Sequence, residues 1–244
     1  VLFRSLVRRV IRITGRTESH TEEAVKPLYV EWAARDLPIA VTILASLGQI
    51  ELHLSARAPS RDEAEQAVDA ASLEVQQVIG LDVYSRDGHS LEEVLGELLV
   101  ARDLRIAVAE SCTGGLVASR LTDVPGSSRY VDRGVVAYAN DAKVDLLAVP
   151  AELIAEHGAV SEAVAVAMAD GIRSRASVDI GVGVTGIAGP GGSTAEKPVG
   201  TVAVAVVTGT VRRSRTFKFI GSREQVKFQA SQAALDMVRR MLVV

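Results

Sequence analysis

The spacing of apolar residues predicts a small α+β module in the first third of the chain. Residues 61–79 repeat small and branched apolar residues at helical spacing, Ser60 can cap the helix, and Gly80 ends the run. Another helix is predicted after the capping residue Thr21, with an irregularity at Pro27. The predicted helices are 22–36 and 61–79, and the predicted strands are 7–14, 38–44, 49–56 and 81–84. This β-α-β-β-α-β order predicts an open sheet with both helices on one face.

A polar, turn-rich segment separates this module from the rest of the chain. Residues 85–90 read SRDGHS, and Ser90 can cap the helical run 91–103 that follows. The 244 residues, of which 48% are hydrophobic, suffice for two modest cores. We therefore predict two domains, 1–88 and 89–244, with a boundary near residue 88.

Short apolar strands alternate with helical runs in the second segment, and a pair of strands follows. The predicted strands are 104–111, 134–139, 178–184, 200–207 and 211–220, and the predicted helices are 116–121, 161–173 and 222–242. Intervening helices predict parallel strands, whereas the turn between the last two strands predicts an antiparallel pair. The fold class is therefore α/β, an α/β sandwich with a mixed sheet, and ligands are expected at the strand ends.

Charge and cysteine content exclude several classes of protein. The chain has 27 Lys and Arg against 30 Asp and Glu, and neither the first 90 residues nor the remainder is basic, so binding to nucleic acid or an anionic membrane is not expected. The single cysteine, Cys112, excludes an intramolecular disulfide. A single cysteine also fits a reducing compartment, so we expect a cytoplasmic protein. No apolar run reaches the about 20 residues that span a bilayer, so we expect a soluble protein. The start at Val1, close to a strand, suggests that the natural protein is longer.

Small residues follow the strand 104–111 and precede a helix. In this turn, Ser111, Thr113, Gly114 and Gly115 precede helix N–H groups that have no partner within the helix, which suggests a phosphate cradle. Such turns are also glycine-rich for steric reasons alone, and the spacing matches no known nucleotide loop. The turn therefore predicts an anion site only in combination with other evidence.

A second turn, TGIAGPGG, opens a loop that runs through Lys197 and Pro198. Its four glycines permit positive φ and close approach of a ligand to the backbone. They are Gly186, Gly189, Gly191 and Gly192. A flexible surface loop is the alternative interpretation.

Residues 124–143 concentrate Ser127, Ser128, Tyr138 and Lys143. A serine hydroxyl needs a base to attack an amide, and a partly buried lysine with a lowered pKa can serve as that base. Ser128 is expected in the turn before the strand 134–139, and Lys143 at the start of the helix after it. Serine and lysine are common on solvated surfaces, so the spacing alone leaves this hypothesis open.

Metal and cysteine chemistry have less support in the sequence. Four histidines share no metal-ligand spacing, which argues against a zinc hydrolase and a Ser-His-Asp triad; they are His20, His53, His89 and His157. We expect no metal and no cofactor. Cys112 precedes a helix, where its pKa can be lowered, although a small buried residue is the commoner outcome for a cysteine.

Six motifs of the second segment resemble, in order, the C-terminal domain of the CinA family. They are AESCTGG, LTDVPGSS, GVVAYAN, HGAVSE, VTGIAGPGG and EKPVGTV. The resemblance covers about residues 90–244, and the first segment more loosely resembles the KH-like middle domain of full-length CinA proteins. Those proteins also have an N-terminal molybdopterin-binding-like domain associated with ADP-ribose pyrophosphatase activity. This sequence has no counterpart of that domain, so we do not expect the activity.

The resemblance implies a nicotinamide mononucleotide deamidase, an amidohydrolase that produces nicotinic acid mononucleotide and ammonia in pyridine-nucleotide salvage. By motif, it implies Ser128 as the nucleophile, Lys143 as its base and Tyr138 as the residue that orients or polarises them. The implied substrate contacts are Ser111, Thr113, Gly114, Thr185, Gly186 and Arg223. The expected partners are the mononucleotide substrate and a second copy of the chain in a homodimer.

Two other interpretations remain open. The family name suggests a partner-binding accessory linked to competence or DNA damage. A module that binds a nucleotide without catalysis is a second alternative, against which the presence of Ser128, Tyr138 and Lys143 argues. RNA binding by the first segment is not expected, because that segment has no GxxG loop and no basic excess.

Overall fold

The first third of the chain folds into a four-stranded antiparallel sheet with two helices, as predicted. The structure is a computed structural model that describes residues 5–46 and 48–243. The strands are β1 (Ser5–Thr14), β2 (Ile39–Ser46), β3 (Gln49–Ala58) and β4 (Val83–Ser85), and the helices are α1 (Glu18–Ala33) and α2 (Arg61–Ile79). The strands lie in the order β2-β3-β1-β4. Apolar side chains of both helices join those of the sheet in one core.

Capping residues decide where the two helices begin. The Ser60 hydroxyl accepts a hydrogen bond from a backbone N–H of the first turn, and α2 has the predicted bounds. Helix α1 begins earlier than predicted, because Thr17 caps it and Thr21 is buried in its first turn. It also continues through Pro27 without the predicted irregularity.

The rest of the chain forms a five-stranded mixed sheet, as predicted. Its strands are β5 (Ile106–Glu110), β6 (Val131–Val136), β7 (Ile180–Gly186), β8 (Thr201–Val207) and β9 (Arg212–Lys218). The order is β6-β5-β7-β8-β9, in which β6, β5 and β7 are parallel and β8 and β9 are antiparallel to their neighbours. The strand predicted at 134–139 ends earlier, at Val136, so Tyr138 follows it instead of belonging to it.

Six helices belong to this part of the described chain. They are α3 (Leu91–Ala101), α4 (Leu116–Thr122), α5 (Asn140–Leu147), α6 (Ala151–His157), α7 (Glu162–Ala176) and α8 (Arg223–Val243). Helix α6 was not predicted. The chain divides into two compact units between Val94 and Leu95, inside α3, and we call them the first and second unit. Ser90 caps α3, and its N–H donates to Glu93 while its hydroxyl accepts from the Glu93 N–H.

Two glycines of β7 bring helix α7 close to the sheet. A Cβ on Gly181 would lie 2.1 Å from the carbonyl oxygen of Ala169, and one on Gly183 would lie 2.1 Å from that of Ala165. Both distances are far below van der Waals contact, so only glycine permits this packing. These two glycines therefore determine how closely α7 packs against β7.

The outer strands of the two sheets differ in charge. Strand β9 carries three arginines and a lysine, and Arg212 pairs with Asp170 of α7 at 2.8 Å. Arg215 lies over the ring of Phe217, 4.9 Å from its centroid. Strand β2, at the edge of the first sheet, reads IAVTILAS and has no charged residue.

Candidate functional site

A cavity of about 240 Å³ lies where β5 and β7 end, at the carboxyl edge of the parallel strands. Ligand sites of α/β proteins are commonly found at this edge, because the loops that leave neighbouring parallel strands meet there. The cavity is lined by Ser111, Cys112, Tyr138, Asn140, Lys143, Ala159, Val160, Thr185, Arg223 and residues of the loop 186–192. The sequence analysis named most of these polar residues but missed Asn140.

Lys143 is a buried lysine on helix α5. Its side chain is 1% exposed, and its Nζ donates to the carbonyl oxygens of Tyr138, at 3.1 Å, and Ala139, at 3.5 Å. Burial lowers the pKa of Lys143 from its ordinary value, and only the nearby Cys112 acts in the opposite direction. The neutral amine, which is the form that can accept a proton, is therefore more populated than in an ordinary lysine.

Arg223, the first residue of α8, joins two walls of the cavity. Its guanidinium donates to the carbonyl oxygen of Gly189 and to the Tyr138 hydroxyl oxygen, both at 2.8 Å. Gly189 has φ +86°, and a Cβ there would meet Val199 at 2.6 Å. The arginine thus fixes the exposed ring of Tyr138 and the glycine loop at the same time.

The hydroxyl of Thr185 has a defined direction. Thr185 is buried at the end of β7, and its Oγ1 donates to the carbonyl oxygen of Ala159 at 2.8 Å. A hydroxyl has one proton and two lone pairs. Because the proton is used by the Ala159 carbonyl, Thr185 can only accept a hydrogen bond from a molecule in the cavity.

The turn after β5 is closed by a carboxylate of the chain itself. Glu110 is buried, and its side chain accepts hydrogen bonds from the N–H groups of Gly115, Val117 and Ala118 at 2.8–3.1 Å. Of these residues, Gly115 belongs to the turn that the sequence analysis expected to cradle a phosphate. The three N–H groups are not available to a phosphate, because Glu110 already satisfies them.

The residues of this turn differ in their access to the cavity. Ser111 lines it, whereas Thr113 is fully buried with a hydroxyl that has no hydrogen-bond partner, and Gly114 has φ +62°. Thr113 and Gly114 are not among the described residues that line the cavity. Of the three predicted contacts in this turn, only Ser111 faces the cavity.

The four glycines of the second loop differ in backbone conformation and in the space around them. Gly189 and Gly192 have positive φ, as expected for the loop, but Gly186 and Gly191 do not. A Cβ on Gly186 would come within 2.7 Å of Val202 on the neighbouring strand, so packing against β8 requires this glycine. A Cβ on Gly191 would meet open space.

Ser128 lies at the opposite edge of the sheet. It belongs to a short 3-10 helix, Ser127–Arg129, that precedes β6, and the next residue, Tyr130, accepts a backbone hydrogen bond from Ile106 at the start of β5. Strand β6, about 20 Å long at roughly 3.3 Å per residue, lies between Ser128 and Lys143 in the chain. Ser128 is not among the described residues that line the cavity, so the structure does not place the predicted pair in this one cavity.

Cys112 lines the cavity but is not disposed to react. Burial raises the pKa of its thiol to about 12. The thiolate, which is the nucleophilic form, is therefore scarce at neutral pH. Cys112 is a packing residue, the commoner of the two outcomes considered for it.

Within 5–46 and 48–243, no group of three or more His, Cys, Asp and Glu side chains is arranged to hold a metal ion. In the same ranges, no helix combines the length and the apolar composition needed to cross a bilayer.

Comparison with known proteins assigns both units. The profile of the CinA C-terminal domain matches residues 88–242, and that of the damage-inducible protein CinA KH domain matches residues 8–85. The chain is 46% identical to a CinA-like protein of Koribacter versatilis and 45% identical to a putative competence-damage inducible protein of Moorella thermoacetica, with 96% of this chain covered in each case. It spans 56% and 55% of the length of these two relatives.

Solved structures resemble part of the chain. A competence-damaged protein (CinA) superfamily protein from Klebsiella pneumoniae is 35% identical, with a TM-score of 0.61 over 64% of this chain and 99% of its own. The competence/damage inducible protein CihA from Agrobacterium tumefaciens is 39% identical, with a TM-score of 0.60 over 64% of this chain and 98% of its own. Motifs, domain profiles and structures agree, and the chain belongs to the CinA family.

Proposed function

We propose that the second unit hydrolyses the carboxamide of nicotinamide mononucleotide, with Ser111 as the nucleophile and Lys143 as the base. The substrate rests on the resemblance of the motifs to CinA amidases. The assignment of the two residues rests on one observation, which is that a buried lysine with a lowered pKa shares a cavity with a serine hydroxyl.

The hydrogen bonds of Lys143 support its role as a base. A neutral amine has two N–H bonds and one lone pair. The carbonyl oxygens of Tyr138 and Ala139 can only accept, so they take the N–H bonds of Lys143. The lone pair is left to accept the proton of another group in the cavity, and Ser111 is the hydroxyl that we assign to it.

The proposed reaction has two stages. Ser111 Oγ bonds to the carboxamide carbon while its proton passes to Lys143 Nζ. The carbon–nitrogen bond then breaks, and the nitrogen leaves as ammonia with that proton. Water hydrolyses the resulting ester, which gives nicotinic acid mononucleotide and restores the Ser111 hydroxyl.

Two further side chains match the two ends of a carboxamide. Thr185 can only accept toward the cavity, which suits the N–H groups of the amide. The Tyr138 oxygen already accepts from Arg223, so its own proton is available to the amide oxygen. This pair can orient the carboxamide and polarise its carbonyl group.

The test is ammonia release from nicotinamide mononucleotide by the purified full chain and two serine variants. We expect S111A to lose about 10³-fold in kcat or more, because a nucleophile and its base act as a unit. Ser128→Ala is the matched control, and it should retain the wild-type rate because Ser128 lies at the other edge of the sheet. Circular dichroism would establish that each variant is folded.

Two outcomes would contradict the proposal. An inactive S128A together with an active S111A would return the nucleophile to Ser128. A folded wild-type protein that releases no ammonia from the mononucleotide would remove the substrate assignment and favour the non-catalytic alternatives.

A further inference from the structure

Helix α8 carries one cation that lines the cavity, Arg223, and a second, Lys227, one helical turn further along. Arg223 and Lys227 are four residues apart, so they share a face of the helix. The hydrogen bonds of Arg223 go to a carbonyl and a phenol, both uncharged, and neither cation forms an ion pair with a carboxylate in the described part of the chain. Their positive charges are therefore available to an anion from outside the chain.

Lys227 is directed at the turn that carries Ser111. Its Nζ lies 3.6 Å from the position that a Cβ on Gly114 would take. The Gly114 N–H donates to the carbonyl oxygen of Ser111 at 3.1 Å, so the ammonium group is close to the segment of the proposed nucleophile. A side chain at residue 114 would be in van der Waals contact with the ammonium group.

The size of the cavity leaves part of a mononucleotide outside it. Its volume of about 240 Å³ is below the roughly 300–1,000 Å³ of pockets that bury a drug-sized ligand. A carboxamide that reaches Ser111 would thus leave the distal part of the substrate at the rim. Arg223 belongs to that rim, and Lys227 lies one helical turn further along α8.

The backbone of the turn does not offer a competing phosphate site. Glu110 accepts from the N–H groups of Gly115, Val117 and Ala118, and it adds a negative charge to the turn. A phosphate placed here needs cationic side chains. Lys227 lies beside Gly114 of this turn, and Arg223 lines the cavity.

We propose that Lys227, with Arg223 beside it, binds the phosphate monoester of the substrate and makes the enzyme prefer phosphorylated over unphosphorylated carboxamides. This inference rests on the proposed function for the reacting group. The phosphate contact is new, because neither the motifs nor the comparisons assign a role to Lys227.

The experiment compares nicotinamide mononucleotide with nicotinamide riboside, which has the same carboxamide and no phosphate. In K227M, the ratio of kcat/KM for the mononucleotide to that for the riboside should fall by about 10- to 100-fold, as expected for the loss of a charge-assisted hydrogen bond. The loss should appear in the KM of the mononucleotide. K227R keeps the charge and should restore most of the ratio. Arg129→Met removes an exposed charge at the other edge of the sheet and should leave the ratio unchanged.

Calorimetry with ribose 5-phosphate gives a readout that does not depend on catalysis. Weaker binding in K227M than in wild type would support the phosphate site, even if the wild type released no ammonia and the proposed function failed. An active enzyme whose substrate ratio is the same in K227M would overturn the phosphate site and leave the deamidase intact. An equal loss of kcat/KM on both substrates would also overturn the phosphate site, since Lys227 would then merely balance the charge of Glu110.

Discussion

The burial of Lys143 makes the stability of the protein depend on pH in a predictable direction. An unfolded lysine has a pKa of about 10.4, and burial lowers the pKa of the folded one. Between these two values the unfolded chain binds more protons, so the free energy of unfolding rises with pH. Below the folded pKa, the cost of charging the buried amine is fully present.

We therefore expect the Lys143→Met variant to be more stable than wild type, with the largest difference in the free energy of unfolding at neutral pH. The advantage should shrink as the pH approaches about 10.4. Urea unfolding between about pH 7 and pH 10 measures it, with the exposed Lys26→Met as the control that should show no trend. An advantage that grows with pH would mean that the pKa of Lys143 is raised in the folded state.

The two serines show how much of the site was predictable from the residues. Lys143, Tyr138, Thr185 and Arg223 were all named, and they line one cavity. We propose Ser111 instead of the predicted Ser128 as the nucleophile, because the prediction followed a motif and did not take the direction of β6 into account. Ser128 precedes β6 and Lys143 follows it, so the two had to lie at opposite sheet edges. Ser111 follows the parallel strand β5, and that order was readable from the sequence.

Close packing of helix α7 on β7 depends on glycines that lie within the strand and not in a turn. We expect Gly183→Ala to destabilise the second unit by about 1–3 kcal/mol or more, because its Cβ would overlap the Ala165 carbonyl oxygen and force the helix away. Gly191→Ala places the same methyl group in open space and should be nearly neutral. Thermal unfolding of both variants measures the difference, and equal effects would contradict the packing argument.

Elements were predicted best where a local signal decides them. Ser60 and Gly80 bound α2 in the sequence as in the structure. The start of α1 was predicted one turn too late, at Thr21, because Thr17 is a second possible cap one turn earlier. The burial of Thr21 is a tertiary effect that the local sequence does not show. The short helix α6 has too few residues for a periodic pattern to identify it.

For the whole molecule, the division into two units predicts a separable amidase. Every residue that lines the candidate site belongs to the second unit. A fragment that begins at Ser90 keeps the reciprocal cap of α3, and we expect it to fold and to release ammonia at the rate of the full chain. A fragment that begins at Leu95 loses this cap. Its free energy of unfolding should be lower by about 1 kcal/mol, and it should therefore unfold at a lower temperature.

Ammonia release and thermal unfolding of both fragments measure these expectations. A Ser90 fragment that is folded but inactive, beside an active full chain, would mean that the first unit contributes to the site.

The unequal charge of β9 and β2, each at one edge of its sheet, has a consequence for aggregation. An unpaired strand edge is a template for another chain, and charged side chains are a common protection against such pairing. The arginines and lysine of β9 would repel those of a second β9, whereas β2 offers only uncharged residues to a neighbour. Unwanted association at high concentration should therefore begin at the sheet of the first unit, and a single lysine introduced on β2 should improve solubility more than any change on β9.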